Sequence, residues 1–381
     1  MPWQPKDLMQ TKLEFVTLAL KDGANRRELC RRFGITPKTG YELIKRFTEG
    51  GAAALEPRSR RPLRSPMQSA PKVEQAVIAM RHAHPRWGGR KLSTALAETG
   101  IEPLTPSTVT RILHRHGLIT PEASLAATPW HRFEHDEPNA LWQMDFKGNF
   151  ETGQGRCNPL TILDDHSRYS LAIAACAKVD TNTVQSQMEH VFWRYGLPLR
   201  INTDNGGPWG VPAQPQGSLS ALAIWLIRLG INVTYSAPGH PQTNGKIERF
   251  HRSLKAEVLD GRSFADTAAA QVAFDHWRRI YNLQRPHQAL ALQPPATRYL
   301  PSPRSYSSTL APIVYRDEDE VHKVGWNGFV QFKGKKLRLS SALHRLPVAF
   351  RADPNDAQCF DIMFCHHRIT RIDLTRAEFI R

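Results

Sequence analysis

The chain lacks any long apolar run: nowhere in its 381 residues is there a stretch near the roughly 18 apolar positions that a membrane span needs. Its start, MPWQPKDLMQTK, has no apolar core of a secretion signal, so no membrane partner is expected. Cysteine is scarce. The five, at positions 30, 157, 176, 359 and 365, form no CxxC pair, which argues against a disulfide framework and for a reducing compartment. The CHH run at 365–367 reads as strand sequence, because neighbouring side chains on a strand point to opposite faces and do not converge on one ion. Acid is also short, with 35 Asp and Glu against 51 Lys and Arg, a formal charge of +16. What is present, 40% hydrophobic and 23% charged residues, is ordinary globular composition and excludes disordered and collagen-like classes. At about 150 residues per domain the length predicts two to four folded units.

The basic excess is uneven. Residues 1–136 hold 22 basic and 13 acidic side chains, 137–300 hold 16 and 13, and 301–381 hold 13 and 9. Both ends are therefore more basic per residue than the middle, as expected if flanking modules hold a polyanion, read here as nucleic acid, while the centre does something else.

Residues 1–55 read as a helix-turn-helix domain. Leu13, Val16 and Leu20 share a helical face, two further helices flank a break at Gly34, and Thr36 with Pro37 opens the last of them. In a major groove that helix would offer Lys38, Thr39, Tyr41 and Lys45. A basic linker follows at 56–70, where Arg58, Arg60, Arg61 and Arg64 stand among prolines and can track phosphates. A second helix-turn-helix-like domain spans 71–120. Thr105 and Pro106 open its last helix, Val109, Ile112 and Leu113 face inward, and Arg111 and Arg115 face outward. Residues 121–137 read as a linker.

From 138 to 300 the texture is that of an α/β domain. LWQMDFKGNF alternates, NPLTILDDHSRYSLAIAACA reads as two strands about a polar turn, and LRINTDNGG is a short strand ending in turn residues, with helices between the later strands. This predicts a mixed sheet with helices on its faces. Three acids stand out by placement: Asp145 in the first strand, Asp204 at a strand end and Glu248 on a helix after PGHPQTNG. Three carboxylates brought together cannot all stay ionised without compensating charge, so a convergent trio predicts divalent cations, Mg2+ or Mn2+, with two ions suited to phosphodiester displacement. On the same helix Asn244, Lys246, Arg249, Arg252 and Lys255 are candidate DNA contacts.

WQMDF, TILDDHSRY, NTDNGG, SAPGHPQTNGKIERFHRSLK and YNLQRPHQAL together resemble the integrase-type catalytic core of bacterial insertion-sequence transposases, the DDE group related to retroviral integrases. The resemblance spans about 138–300 and implies a ribonuclease-H-like fold with Asp145, Asp204 and Glu248 as the catalytic and metal-binding triad. Asp164 and Asp165 compete for the second position, but the family places such an Asp-Asp-x-Ser-Arg element at a strand turn, where a structural role is expected. The 44 positions from Asp204 to Glu248 exceed the commonest family spacing of about 35, and the surplus falls in GVPAQPQGS, a loop that tolerates insertion.

After a linker at 301–312, residues 313–381 read as short strands forming a small β-barrel, with Lys333, Lys335, Lys336 and Arg338 facing DNA. The resulting expectation is a multidomain DNA transposase that binds terminal inverted repeats and target double-stranded DNA as a homodimer or higher oligomer. It exposes a 3′-OH by metal-dependent hydrolysis, then transfers the strand. Its place would be the cytoplasm, at the nucleoid. The alternatives are a domesticated DNA-binding regulator with an inactive core and a ribonuclease-H-like nuclease.

Overall fold

The structure, a computed structural model, describes residues 8–56, 68–119, 134–204, 206–210, 219–235, 245–375 and, for backbone alone, 378–380. Arg58, Arg60, Arg61, Arg64, Asn244 and the GVPAQPQGS loop from 211 to 218 lie outside the described residues. The chain divides into two compact units, Met1–Ser69 and Ala70–Arg381.

The first unit holds three helices, α1 (Leu8–Ala19), α2 (Arg26–Arg32) and α3 (Pro37–Gly50). The Asn25 side chain caps α2, and the Thr36 hydroxyl caps α3 by accepting from the Thr39 N–H at 3.3 Å, with Pro37 in the first turn. Phe15, Val16 and Ala19 pack with Cys30, Leu43 and Ile44. The buried stripe of α1 therefore differs from the expected one: Leu13 and Leu20 are exposed, because Phe15 is the larger wedge and turns the helix toward Phe33. Gly40 permits the close approach of α2 and α3, since a Cβ there would stand 2.5 Å from Cys30 Sγ and 3.0 Å from the Phe15 ring.

The second unit begins with α4 (Pro71–Ala83), α5 (Gly89–Glu98) and α6 (Pro106–Arg115), packed about Val77, Trp87, Leu92, Leu96, Val109, Ile112 and Leu113. Thr105 caps α6 by accepting from the Thr108 N–H at 3.2 Å. Then comes a mixed sheet of β1 (Trp142–Phe146), β2 (Phe150–Thr152), β3 (Gly155–Asp164), β4 (Ser170–Cys176), β5 (Arg200–Thr203) and β6 (Asn232–Tyr235), in the order β2-β3-β1-β5-β6 with β4 also on β3. β1 runs antiparallel to β3 and parallel to β5, so the sheet changes direction at the strand carrying Asp145.

Alternation along β1 divides its side chains between the two faces. Trp142 and Met144 join one cluster with α7 (Thr181–Tyr195) and α8 (Ala221–Arg228). Gln143 and Asp145 point the other way, where α9 (Gly245–Leu254) and α10 (Thr267–Leu283) lie, burying Phe250, Leu254, Phe274, Trp277 and Tyr281. The helical module meets this second layer directly: Ile280 of α10 packs against the Val77–Trp87 cluster, and Arg86 stands 3.8 Å from Asp260.

Two expected linkers are partly strapped down. His135 donates its N–H to Asp165 at 3.0 Å, while Ser302 and Arg304 bond to Tyr195 and Gly230. The C-terminal part is not a closed barrel. Its strands β7 (Glu320–Lys323), β10 (Pro347–Asp353), β11 (Asp356–Phe364), β12 (His367–Asp373) and β13 (Glu378–Ile380) form an open antiparallel sheet, β13-β12-β11-β10-β7. The hairpin of β8 (Phe329–Phe332) and β9 (Lys335–Arg338) stays separate. It lies over that sheet because Phe332 stacks on Phe350 at 3.9 Å and meets Phe360 edge-on, so its apolar side is satisfied face to face rather than by edge pairing. Cys365 and His366 make the turn between β11 and β12 rather than strand, with Cys365 at φ +51°. This sheet and the mixed sheet share one hydrophobic cluster, and Ser340 Oγ donates to the Leu219 carbonyl at 2.7 Å. Among the described residues no helix is long and apolar enough to cross a membrane.

Candidate active site

Asp145 sits on β1, Asp204 follows β5, and Glu248 occupies the first turn of α9. The parallel register pairs Trp142 with Ile201 and Gln143 with Asn202, which carries Asp145 alongside Asp204 at the neighbouring strand end. Asp204 Oδ1 accepts from the Gly206 N–H at 3.0 Å, a local turn that fixes its direction. Burial first, then Asp204 and more weakly Glu248, push the Asp145 carboxyl up to about 7. Asp145 therefore feels the charge of both other acids at this sheet edge. Among the described residues no cluster of three His, Cys, Asp or Glu stands in ligating geometry, so they are neighbours rather than a closed cage.

His251, one helical turn after Glu248, completes this edge. Its Nε2 lies 2.7 Å from Thr161 Oγ1, and Thr161 in turn donates to the Asp145 carbonyl at 2.9 Å. The hydroxyl thus accepts from Nε2–H and leaves Nδ1 bare, 3.9 Å from Asp145 Oδ2. Burial, aided by Lys147, pushes His251 down to about 4, so this approach is not an ion pair at neutral pH. His251 follows Glu248 by three positions in the sequence, the spacing of one helical turn, whereas nothing in the sequence marked Thr161.

Asp164 and Asp165 are structural. Asp164 is fully buried and accepts from the N–H groups of Asn139 and Ser167 and from the Ser167 hydroxyl. Burial holds its carboxyl above the usual range despite those bonds. Asp165 pairs with Lys246, which is therefore not the free DNA contact the sequence suggested: its ammonium is drawn inward onto a buried carboxylate 81 positions away. Arg115 is exposed at the end of α6 and also pairs with buried Glu74, beside His116.

The remaining candidates are at the surface. Lys38, Thr39, Tyr41 and Lys45 are all exposed on α3, although Thr39 also bonds Thr36 and Lys45 stands 3.8 Å from Glu49. Arg111, Arg249, Arg252 and Lys255 are exposed, as are Lys336 and Arg338, with Lys335 half-buried. Lys333 and Gly334 form the β8–β9 turn with positive φ, and Lys333 lies over the Phe360 ring and 3.4 Å from Glu320.

Sequence reasoning left the roles of the YNLQRPHQAL residues unread. Arg285 reaches back to Glu257 with Nη2–Oε1 at 2.8 Å, and Trp277 Nε1 donates to the same carboxylate at 2.9 Å. Burial alone would raise Glu257, but Arg285 and Trp277 hold it below its ordinary value. Glu257 lies in a π-helical turn, Lys255–Leu259, that continues α9, so this buried pair ties the end of the Glu248 helix to α10.

Comparison with known proteins matches several segments of the chain. Integrase core domain models match residues 135–241 and 229–295, a helix-turn-helix domain model matches 11–62, and a homeodomain-like domain model matches 39–113. The insertion element IS476 uncharacterized 39.2 kDa protein of Xanthomonas euvesicatoria is 31% identical over 159 residues, 42% of this chain and 44% of that one. The insertion element IS407 uncharacterized 31.7 kDa protein of Burkholderia multivorans is 28% identical over 153 residues, 40% of this chain and 52% of that one. The chain thus spans about half the length of the curated relatives it matches. The HTLV-2 integrase catalytic core domain in complex with magnesium aligns with 43% of this chain and 97% of its own at 17% identity, with a TM-score of 0.33, too loose a superposition to add to the sequence matches. The chain is thus similar in part to insertion-element proteins, with a segment similar to integrase core domains behind segments similar to helix-turn-helix domains.

Proposed function

We propose that the chain is a DNA transposase, a polynucleotidyl transferase whose helix-turn-helix modules bind the terminal inverted repeats of its own element and whose core hydrolyses and then transfers a DNA strand. The observation that carries this reading is the edge where β1, β5 and α9 meet: Asp145 is held up to about 7 by burial and by the other two acids. Oxygen donors with surplus negative charge fit hard divalent cations, so Asp145, Asp204 and Glu248 would hold Mg2+ or Mn2+, two ions in the full site. Bound there, such ions supply Lewis-acid stabilisation to the attacking and leaving oxygens of a phosphodiester. The chain itself orients the acids: the parallel β1–β5 register sets two side by side, and α9 brings the third.

The exposed cations Arg249, Arg252 and Lys255 lie on or just past α9 and would hold the DNA backbone beside the acids. Joining two element ends to a target requires two protomers or more. The test incubates protein with labelled element ends, a target plasmid and Mg2+. Strand-transfer products that vanish in Asp145→Asn, Asp204→Asn and Glu248→Gln support the reading, and full activity in any of the three overturns the triad. Binding without cleavage would favour a regulator, and cleavage of RNA–DNA hybrids without strand transfer would favour a nuclease.

A further inference from the structure

Gln143 lies two residues before Asp145 on β1, points to the same face and is 2% exposed. Its amide is used at both ends. Nε2 donates to Asp165 Oδ1 at 3.0 Å, and Oε1 accepts from the Ile247 N–H at 3.1 Å. The two partners fix the amide's orientation, because a carboxylate only accepts and an N–H only donates. The Ile247 N–H belongs to the first turn of α9, and the Gln143 amide oxygen satisfies it. Asp165 in turn accepts from the Lys246 ammonium and, at 3.0 Å, from the His135 N–H. The two residues immediately before Glu248 are therefore both anchored, one by backbone and one by side chain, to Gln143 and its neighbour Asp165.

The geometry points to Gln143 as a positioning residue for the metal site. It fixes the first turn of α9, and with it Glu248, at a set distance from the strand that carries Asp145, two residues or about 7 Å along β1. This inference rests on the reading of the three acids as metal ligands. Groups that hold a ligand's supporting element set metal affinity without touching the ion, and their loss weakens binding about 10- to 100-fold.

The test measures Mn2+ affinity of the full chain without DNA, by the EPR signal of free Mn2+, alongside the melting temperature. Gln143→Leu is expected to weaken binding about 10- to 100-fold, with a proportionate rise in the Mn2+ needed for strand transfer. Gln143→Glu alone sets two carboxylates together and weakens it too. The double variant Gln143→Glu with Asp165→Asn reverses the polarity of the bond: an amide at 165 now donates to a carboxylate at 143, which still accepts from Ile247. It is expected to recover most of the affinity. Parental affinity in Gln143→Leu, or a double variant no better than its single substitutions, overturns the positioning role. Parental Mn2+ affinity in Glu248→Gln instead overturns the reading of the acids, and this inference with it.

Discussion

Asn282 and Ser170 exchange two hydrogen bonds: Asn282 Oδ1 accepts from the Ser170 N–H at 2.8 Å, and Asn282 Nδ2 donates to the Ser170 carbonyl at 2.9 Å. Both residues are buried, so a side chain of α10 satisfies the backbone at the start of β4. Asn282→Asp keeps the acceptor but turns a carboxylate oxygen toward the Ser170 carbonyl. It is expected to lower stability by about 2–3 kcal/mol, read as a lower urea midpoint at unchanged slope. An unmoved midpoint would show that the pair contributes nothing.

Acid sensitivity should begin well above the carboxylate range. Burial first, then the cations Arg285, Arg168, Lys91 and Arg249, push His287 down to about 3 from an ordinary value of 6.5. The unfolded chain then binds a proton below about pH 6.5 that the folded chain refuses, so stability present above 6.5 is lost progressively as pH falls toward 3. Urea midpoints at pH 7.5 and 5.0 are expected to decline in the parent and to decline less in His287→Gln. Equal declines would remove His287 as the cause.

Divalent cations should stabilise the fold itself. If the three acids bind Mg2+ only in the folded chain, a hundredfold excess over Kd adds about 2.7 kcal/mol. Thermal melts with Mg2+ against EDTA are expected to show that gain in the parent and its loss in Glu248→Gln. Lowering the pH below 7 should shrink it, because a proton on Asp145 competes with the metal.

DNA binding through the first unit should need no metal. Lys38, Tyr41 and Lys45 are exposed on α3. With EDTA present, Lys38→Ala and Lys45→Ala are each expected to reduce the slope of log affinity against log salt by about 1 for element-end DNA. An unchanged slope in both would move the contact surface elsewhere.

The features legible in the sequence are those written in neighbouring residues. The Thr-Pro openings at 36–37 and 105–106 are helix caps because cap and first turn are adjacent in the chain, and the strand holding Asp145, the strand before Asp204 and the helix holding Glu248 stand where alternation and turn residues put them. What escaped depends on partners far along the chain. Lys246 and Arg115 read as free cations until Asp165 and Glu74, 81 and 41 positions away, took them up. Gln143 had no signal at all, since its work is done with a backbone N–H 104 positions on. The barrel failed for a related reason: alternation identifies strands, but whether a hairpin joins a sheet edge or lies across its face is decided by rings such as Phe332 and Phe350.

The hydrophobic cluster common to the mixed sheet and the C-terminal sheet bears on how this chain can be cut and recombined. A boundary drawn at 313 would part the Ser341–Leu343 turn from α8, break the Ser340–Leu219 bond, and open the apolar surface around Leu219 and Leu222 to water. Truncations there should yield aggregating fragments rather than a working core with a detachable tail.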